Sequence, residues 1–189
     1  MSGYLANPIV FLIQTLLGLY AAIVALRFLL QWVRADFYNP MSQFIVRVTT
    51  PVLRPLRRFV PGYQGMDTAS LVLAWLVKTV ELAAVAVVAG LGNPLGALLW
   101  SIPALVTLFI NIFLFAVLIQ VILSWLNPDP YNPAVRLLER LTAPLLEPAR
   151  RWIPPVSGLD LSPMAVMIAL VLLEMLLVPP LNALTGSPF

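Results

Sequence analysis

Four long apolar stretches divide this chain, and they predict its membrane-spanning helices. The predicted spans cover residues about 9–33, 69–89, 103–126 and 163–178. A helix needs about 20 mostly apolar residues to cross a hydrocarbon core of about 30 Å. Asn7 and Pro8 are typical of a helix start, because Asn caps helices and Pro is tolerated in the first turn. Pro179 and Pro180 are expected to end the last span.

The polar loop after the first span predicts a short amphipathic helix. Met41, Phe44, Ile45 and Val48 fall at helical spacing, and Arg47 lies on the opposite face. This pattern is typical of a helix at a membrane interface. A proline cannot donate its backbone N–H inside a helix. Two prolines follow at the next turns, and we expect them to end the continuous helix: Pro51 and Pro55.

The same loop occurs twice, 93 residues apart and without a gap. Asn39–Asp67 matches Asn132–Asp160. The second copy contains these shared positions: Asn132, Pro133, Arg140, Thr142, Pro144, Leu146, Pro148, Arg150, Arg151, Pro154, Gly158 and Asp160. We predict two repeats, residues 1–96 and 97–189, each a span, a Pro/Arg-rich loop and a span. Because each repeat has an even number of spans, the two are expected to share one orientation.

Composition confirms the class of protein and excludes much chemistry. The chain of 189 residues is 61% hydrophobic and only 10% charged, with a mean hydropathy of +0.95. A chain with so little charge cannot cover a surface that faces water, so the fold class is an all-α membrane protein. With no Cys and no His, thiolate, haem and Ser-His chemistry are excluded. We expect no enzyme activity, no cofactor, no metal site and no nucleic-acid partner.

The basic residues predict the orientation, because cytoplasmic loops carry an excess of Lys and Arg. Nine of the 11 basic residues lie in the two repeat loops: Arg34, Arg47, Arg54, Arg57, Arg58, Arg136, Arg140, Arg150 and Arg151. The connector between the repeats and both termini have none. Both repeat loops are therefore predicted to be cytoplasmic and both termini periplasmic.

The second copy, with its P-L-L-E-P-A-R-R-W-I-P-P string and apolar flanks, resembles the YggT/YlmG family of small bacterial membrane proteins. The resemblance covers essentially the whole chain and is to the two-repeat proteobacterial form. It implies the bacterial inner membrane, and links to osmotic stress tolerance, cell division and the assembly of membrane complexes. The first copy departs from the pattern, since Gly62 replaces the second proline. The second loop is therefore the better candidate for binding.

The loop residues that we single out are Arg57, Arg58, Arg150, Arg151, Asn132, Pro144, Pro148 and Asp160. The arginines predict contact with anionic lipid headgroups or with an acidic surface of another integral membrane protein. The alternative is that they only fix the orientation of the chain. Asp67 and Asp160 are interpreted first as helix caps, because two carboxylates leave most of a hard cation's oxygen shell unfilled.

Charges inside the spans are the second candidate set: Arg27, Lys78, Glu81 and Glu174. Lys78 and Glu81 are three residues apart on one face, so they can pair with each other. Glu174 has no such neighbour, and Arg27 or Lys78 would have to reach it from another helix. The set sums to zero charge, which favours a buried network between the repeats. The alternative is a proton or cation relay through Glu81 and Glu174.

Two functions therefore stay open. The first is a non-enzymatic factor for membrane-complex assembly, cell division or stress tolerance, which works through its loops. The second is a small ion or osmolyte transporter that uses Glu81 and Glu174 and works as a homo-oligomer, because four spans enclose little cavity.

Overall fold

The fold is a bundle of six helices, taken here from a computed structural model that describes residues 3–62, 65–91, 93–126, 129, 131–153 and 160–188. The helices are α1 Gly3–Trp32, α2 Pro40–Leu56, α3 Thr68–Ala89, α4 Ala97–Leu126, α5 Pro133–Trp152 and α6 Ser162–Thr185. A single 3₁₀ turn, Pro94–Gly96, precedes α4. The four predicted spans are confirmed, because α1, α3, α4 and α6 are long and apolar enough to cross a membrane.

Each repeat packs its own two spans together, and the repeats then meet through α3 and α4. Small residues allow the close approach of α1 and α3, since Ala21 and Ala25 are fully buried. Leu53 of α2 packs against Val24 of α1 and Leu73 of α3. Leu146 occupies the corresponding place in the second repeat. The loop helices are therefore docked on their spans, and do not hang free.

The helix starts at Pro40, Pro133 and Pro163 are confirmed, but three other helix ends that we predicted from proline were wrong. The first helix begins at Gly3 with Pro8 inside it, and α4 begins at Ala97 with Pro103 inside it. The last helix continues through Pro179 and Pro180 to Thr185, where Gly186 takes a left-handed conformation. A proline inside a helix costs about 3 kcal/mol, because it removes one backbone hydrogen bond and its ring crowds a carbonyl of the preceding turn. In an apolar span a broken helix would leave further backbone groups without hydrogen bonds, so these helices continue through their prolines.

The expectation that Pro51 and Pro55 break the loop helix was also wrong. The α2 helix is continuous through both, and α5 is continuous through Pro144 and Pro148. Pro51 removes only the donor to the Arg47 carbonyl, and a side-chain hydrogen bond reinforces the turn before it. The hydroxyl of Thr49 donates to the Ile45 carbonyl at 2.7 Å. The loop helices are therefore two to three turns longer than the four-residue apolar pattern indicated.

The D-x-Y-N-P string that begins each loop helix is a turn followed by a cap. The side chain of Asp36 accepts from the Tyr38 N–H at 2.9 Å, and Asn39 then accepts from the N–H of Met41 at 2.9 Å. The second repeat has the same two bonds, made by Asp129 and Asn132. The Asn39 side chain also donates to the Pro133 carbonyl at 2.6 Å. This bond and the packing of α2 on α5 hold the two loops together.

Candidate functional site

A clamp between the end of α2 and the start of α3 closes the first loop. Arg57 donates to the Asp67 carboxylate at 2.5 Å, and the Ser70 hydroxyl donates to the same oxygen at 2.6 Å. Asp67 occupies the N-cap position of α3, as we interpreted it, but its carboxylate makes no capping bond to the helix backbone. The reason is competition, because the two donors and a second arginine occupy the carboxylate.

That second arginine is Arg27, which lies in α1 and is only 6% exposed. Its Nε lies 3.4 Å from Asp67 Oδ2. Its Nη1 donates to the hydroxyl of Thr49 at 2.6 Å and to the carbonyl of Val46 at 3.2 Å. Thr50 accepts from the same nitrogen at 3.1 Å. Arg27 thus joins α1, α2 and the start of α3 within one repeat, and it does not reach Glu174.

The second repeat builds the same clamp without the second arginine. Arg150 Nε lies 2.9 Å from Asp160 Oδ2, and the Ser162 hydroxyl and N–H donate to the other oxygen. Gln120 stands where Arg27 stands in the first repeat, and it accepts a hydrogen bond from Thr142. The Asp160 side chain is 39% exposed, whereas that of Asp67 is 4% exposed.

Both clamps keep their carboxylates ionised. Burial acts to raise the pKa of Asp67, but hydrogen bonds from Ser70 and Arg57 and the charges of Arg57 and Arg27 outweigh it, so the pKa lies below its ordinary value. The pKa of Asp160 is lowered too, because Ser162 and Arg150 outweigh its smaller burial. A lowered carboxylate pKa stabilises the fold above about pH 4, and this stabilisation is lost as the pH falls through the folded pKa.

A cleft of about 1240 Å³ opens beside the second clamp. It lies between the end of α4, the length of α5 and the loop that follows α1. Its charged side chains are four arginines and four acids: Arg34, Arg136, Arg140, Arg150, Asp36, Glu139, Glu147 and Asp160. Gln120 and Thr142 also line it, and Tyr38, Trp125 and Tyr131 lie at its exposed edge. Residues of both repeats therefore form one polar cleft.

One wall of the cleft has an unusual backbone. Arg34 has a φ of 52°, a left-handed conformation that glycine adopts most easily. It follows α1, where the Ala35 N–H bonds back to the Leu30 carbonyl at 2.8 Å. A helix commonly ends in this way, with a glycine at the left-handed residue. An arginine at this place costs stability and puts a cation on the cleft wall.

The structure divides each predicted di-arginine into two roles. Arg57 and Arg150 clamp their aspartates, whereas Arg58 and Arg151 are exposed and make no ion pair with any residue in the described ranges. An exposed aromatic residue follows each free arginine, Phe59 at 83% and Trp152 at 85% exposure. Of the remaining predicted loop residues, Asn132 caps α5, and Pro144 and Pro148 are exposed on it.

The four charges of the spans do not form one network. Lys78 Nζ lies 3.0 Å from Glu81 Oε1, so this local pair is present as predicted. The other Glu81 oxygen is buried and has no hydrogen-bond partner in the described part of the chain. Glu174 is half-buried on α6 and pairs with no described residue. The helices of Glu81 and Glu174, α3 and α6, both pack on α4 but not extensively on each other.

Comparison with known proteins decides the family. The CCB3/YggT family matches residues 6–88 and again 99–181, so the match itself repeats after 93 residues. The chain belongs to the CCB3/YggT family. An uncharacterized protein of Pseudomonas aeruginosa is 50% identical over 182 residues, which cover 95% of this chain and 92% of the relative. The uncharacterized protein YggT of Escherichia coli is 36% identical over 183 residues, 96% and 94% of the two chains. No solved structure matches.

Several residues of the site escaped prediction although the repeat marked them. Thr49 and Thr142, and Phe59 and Trp152, recur at the offset of 93. Thr49 and Thr142 were part of the shared string, and their burial beside Arg27 and Gln120 gives them a role. Arg27 itself was placed among the intramembrane charges, and its partner Asp67 outside them. To predict the partner of a buried cation, the acids at the ends of the spans have to be considered as well as those within the spans.

Proposed function

We propose that this member of the CCB3/YggT family is a non-enzymatic protein of the bacterial inner membrane that binds other membrane proteins and anionic lipid through its two loop helices. Such binding would serve membrane-complex assembly, cell division or osmotic stress tolerance. The observation that carries this proposal is the pair of exposed arginine–aromatic ends, Arg58–Phe59 and Arg151–Trp152.

The division of labour within each di-arginine supports the proposal. An arginine that is already paired with an aspartate attracts an anionic ligand less strongly than an unpaired arginine does. Arg58 and Arg151 are the free members, and each is next to an aromatic ring of the kind that sits at headgroup depth. Cytoplasmic basic residues near such a surface attract anionic lipid by about 1 kcal/mol each. The two arginine–aromatic pairs therefore form equivalent contact points, one just after α2 and one at the end of α5.

Replacing Arg58 and Arg151 together with Gln should lower the recovery of companion proteins several-fold without a change in stability. Both side chains are exposed, so their loss leaves no buried charge unpaired. The measurement is purification of the full chain from native membranes in mild detergent, with companions quantified by mass spectrometry. The charge-matched control replaces Arg47 and Arg54, which are also exposed but lie before the helix end. Equal losses in both double variants would mean that bare charge is sufficient and would contradict the proposal.

The loops are proposed to face the cytoplasm and the connector the periplasm. The chain has no natural cysteine, so single cysteines report accessibility without background. In intact cells, a membrane-impermeant maleimide is expected to label Leu95→Cys on the connector and to leave Tyr38→Cys and Tyr131→Cys unlabelled. All three positions are exposed on the protein. Labelling of the two tyrosine positions before lysis would reverse the proposed orientation.

Transport is the second candidate, and one observation favours it. The buried, unpaired oxygen of Glu81 lies beside Gly18, where an added Cβ atom would be 3.7 Å from it. An unpaired polar atom in a span is typical of an ion or proton pathway. A path that also includes Glu174 would have to pass along α4, the helix on which both α3 and α6 pack.

A further inference from the structure

The two aspartate clamps differ in one respect. The first has a second arginine beside its carboxylate, and the second does not. In the first repeat, the Arg27 guanidinium lies against Asp67 and donates to Thr49. In the second repeat, Asp160 and Thr142 are the corresponding residues, but Gln120 brings no cation. Thr50, another acceptor for Arg27, is replaced by Ala143. The second repeat thus keeps the aspartate and loses the internal group that would complete it.

The cleft is lined by Gln120, the residue at the repeat position of Arg27, as well as by Asp160. Asp160, Gln120 and Thr142 all line the cleft, and Thr142 is fully buried. The Arg27 guanidinium shows which chemistry this set of acceptors accommodates, namely a cation with several N–H donors. A ligand that enters the cleft and carries such a cation would find the acceptors already in place.

The rest of the cleft indicates what else the ligand carries. Arg136 and Arg140 line it from α5 and Arg34 lines it from the end of α1. These arginines form a second region, in which an anion such as a phosphate would be held. The cleft contains four cations and four anions, so it suits a zwitterion better than a ligand of one charge.

The edge of the cleft suggests that the ligand comes from the membrane. Tyr38, Trp125 and Tyr131 are each at least 80% exposed there, and such aromatic residues are enriched at the level of lipid headgroups. Apolar side chains of α4 and α5, including Val121 and Leu138, line its inner part. The cleft adjoins the end of the span α4, so the acyl chains of a bound lipid would remain beside that helix.

We propose that the cleft of the second repeat binds the headgroup of a phospholipid that carries a primary amine, as phosphatidylethanolamine does. The ammonium lies against Asp160 and donates to the side-chain oxygen of Gln120, in the place that the Arg27 guanidinium has in the first repeat. The phosphate faces the arginines. This inference rests on the proposed location of the loops at the membrane, but it does not use the contacts of Arg58 or Arg151.

The headgroup chemistry separates this lipid from its competitors. Phosphatidylcholine has a quaternary ammonium without N–H groups, so it cannot donate a hydrogen bond to the aspartate. Phosphatidylglycerol has no cation. We therefore expect native mass spectrometry of the purified full chain to show one bound phosphatidylethanolamine, at an affinity at least ten-fold higher than for either of the other two lipids.

Two variants test the site itself. Gln120→Arg rebuilds the arrangement of the first repeat and should abolish the preference, because the new guanidinium occupies the place of the ammonium. Asp160→Asn should weaken phosphatidylethanolamine binding about ten-fold and leave phosphatidylcholine binding unchanged. Arg54→Gln, on an exposed face outside the cleft, is the matched control. Thermal unfolding of each variant in detergent shows whether it is folded.

The outcomes decide the inference independently of the proposed partner binding. Equal binding of the three lipids, or an unchanged preference in folded Gln120→Arg or folded Asp160→Asn, would overturn it. Soluble phosphoethanolamine distinguishes the source of the headgroup. If it binds to the cleft and the lipid does not, the ligand is a free metabolite and the lipid assignment is wrong. Loss of companions in the Arg58 and Arg151 variant, with lipid binding intact, would separate the two functions.

Discussion

Replacing Arg27 with Met should lower the free energy of unfolding by about 1.5–3 kcal/mol, the worth of a hydrogen bond to a charged group. The side chain is buried, and it bonds to Thr49, to the Val46 carbonyl and to the Asp67 carboxylate. Its loss leaves Asp67 with Arg57 and Ser70 as its remaining partners. The loop helix α2 then loses its polar attachment to α1. Unfolding of the full chain in detergent, titrated with a denaturing detergent, measures the effect.

The second repeat supplies the controls for this experiment. Arg27→Gln should cost roughly half as much, because Gln120 shows that a glutamine at this place can still bond to the threonine of the loop helix. Gln120→Met should cost only about 1 kcal/mol, the net worth of one hydrogen bond. If Arg27→Met and Gln120→Met cost the same, the buried arginine contributes no more than a neutral hydrogen bond.

Acid should reveal the same ion pair. The lowered pKa of Asp67 means that its contribution is complete above about pH 4 and declines as the pH falls through the folded value. In the Arg27→Met protein, one of the groups that lower this pKa is gone. The loss of stability on acidification should therefore be smaller than in the wild type.

Replacing Lys78 with Met should cost about 3 kcal/mol, because it leaves the buried Glu81 carboxylate without its partner. The opposite result is expected when both members of the pair are replaced. A protein with Lys78→Met and Glu81→Leu contains neither charge, and its stability should lie within about 1 kcal/mol of the wild type, since apolar residues often substitute for a buried ion pair. The same unfolding measurement distinguishes these variants.

This pair of variants also decides between a structural and a transport role for Glu81. If Glu81 only balances Lys78, the double apolar variant should retain full activity in cells. If Glu81 carries protons or cations, activity should be lost although the protein is stable. Purified protein that supports an ion flux, abolished by Glu81→Gln with Glu174→Gln, would establish transport and would contradict the non-enzymatic binding role.

The spans could be predicted because a membrane imposes one requirement, about 20 apolar residues in a row, and the sequence meets it four times. Several helix ends could not. Pro51 and Pro179 carry the local signal of an interruption, but α2 continues because it packs on the spans, and α6 continues because its last turns lie in an apolar stretch. The packing of α2 involves residues such as Leu53 and Val24, which are distant in sequence.

The sequence likewise singled out many residues of the candidate site, but it did not show which of them pair with each other. The di-arginines and the repeated aspartates stood out by their spacing. Sequence could not show that Arg57 lies against Asp67 while Arg58 remains free, because both are near enough along the chain to reach it. The cleft was not predictable, since it depends on how α5 meets α4 and on the loop that follows α1.

The difference between Arg27 and Gln120 has a consequence for stoichiometry. Two identical subunits related by a twofold axis would present the same site twice. Here both copies are joined in one polypeptide, so one copy keeps its arginine as a built-in occupant while the other is open. Each chain then takes up a single headgroup, at a ratio fixed by covalent linkage. Duplication within a gene permits this kind of specialisation, which a symmetric pair of separate chains does not.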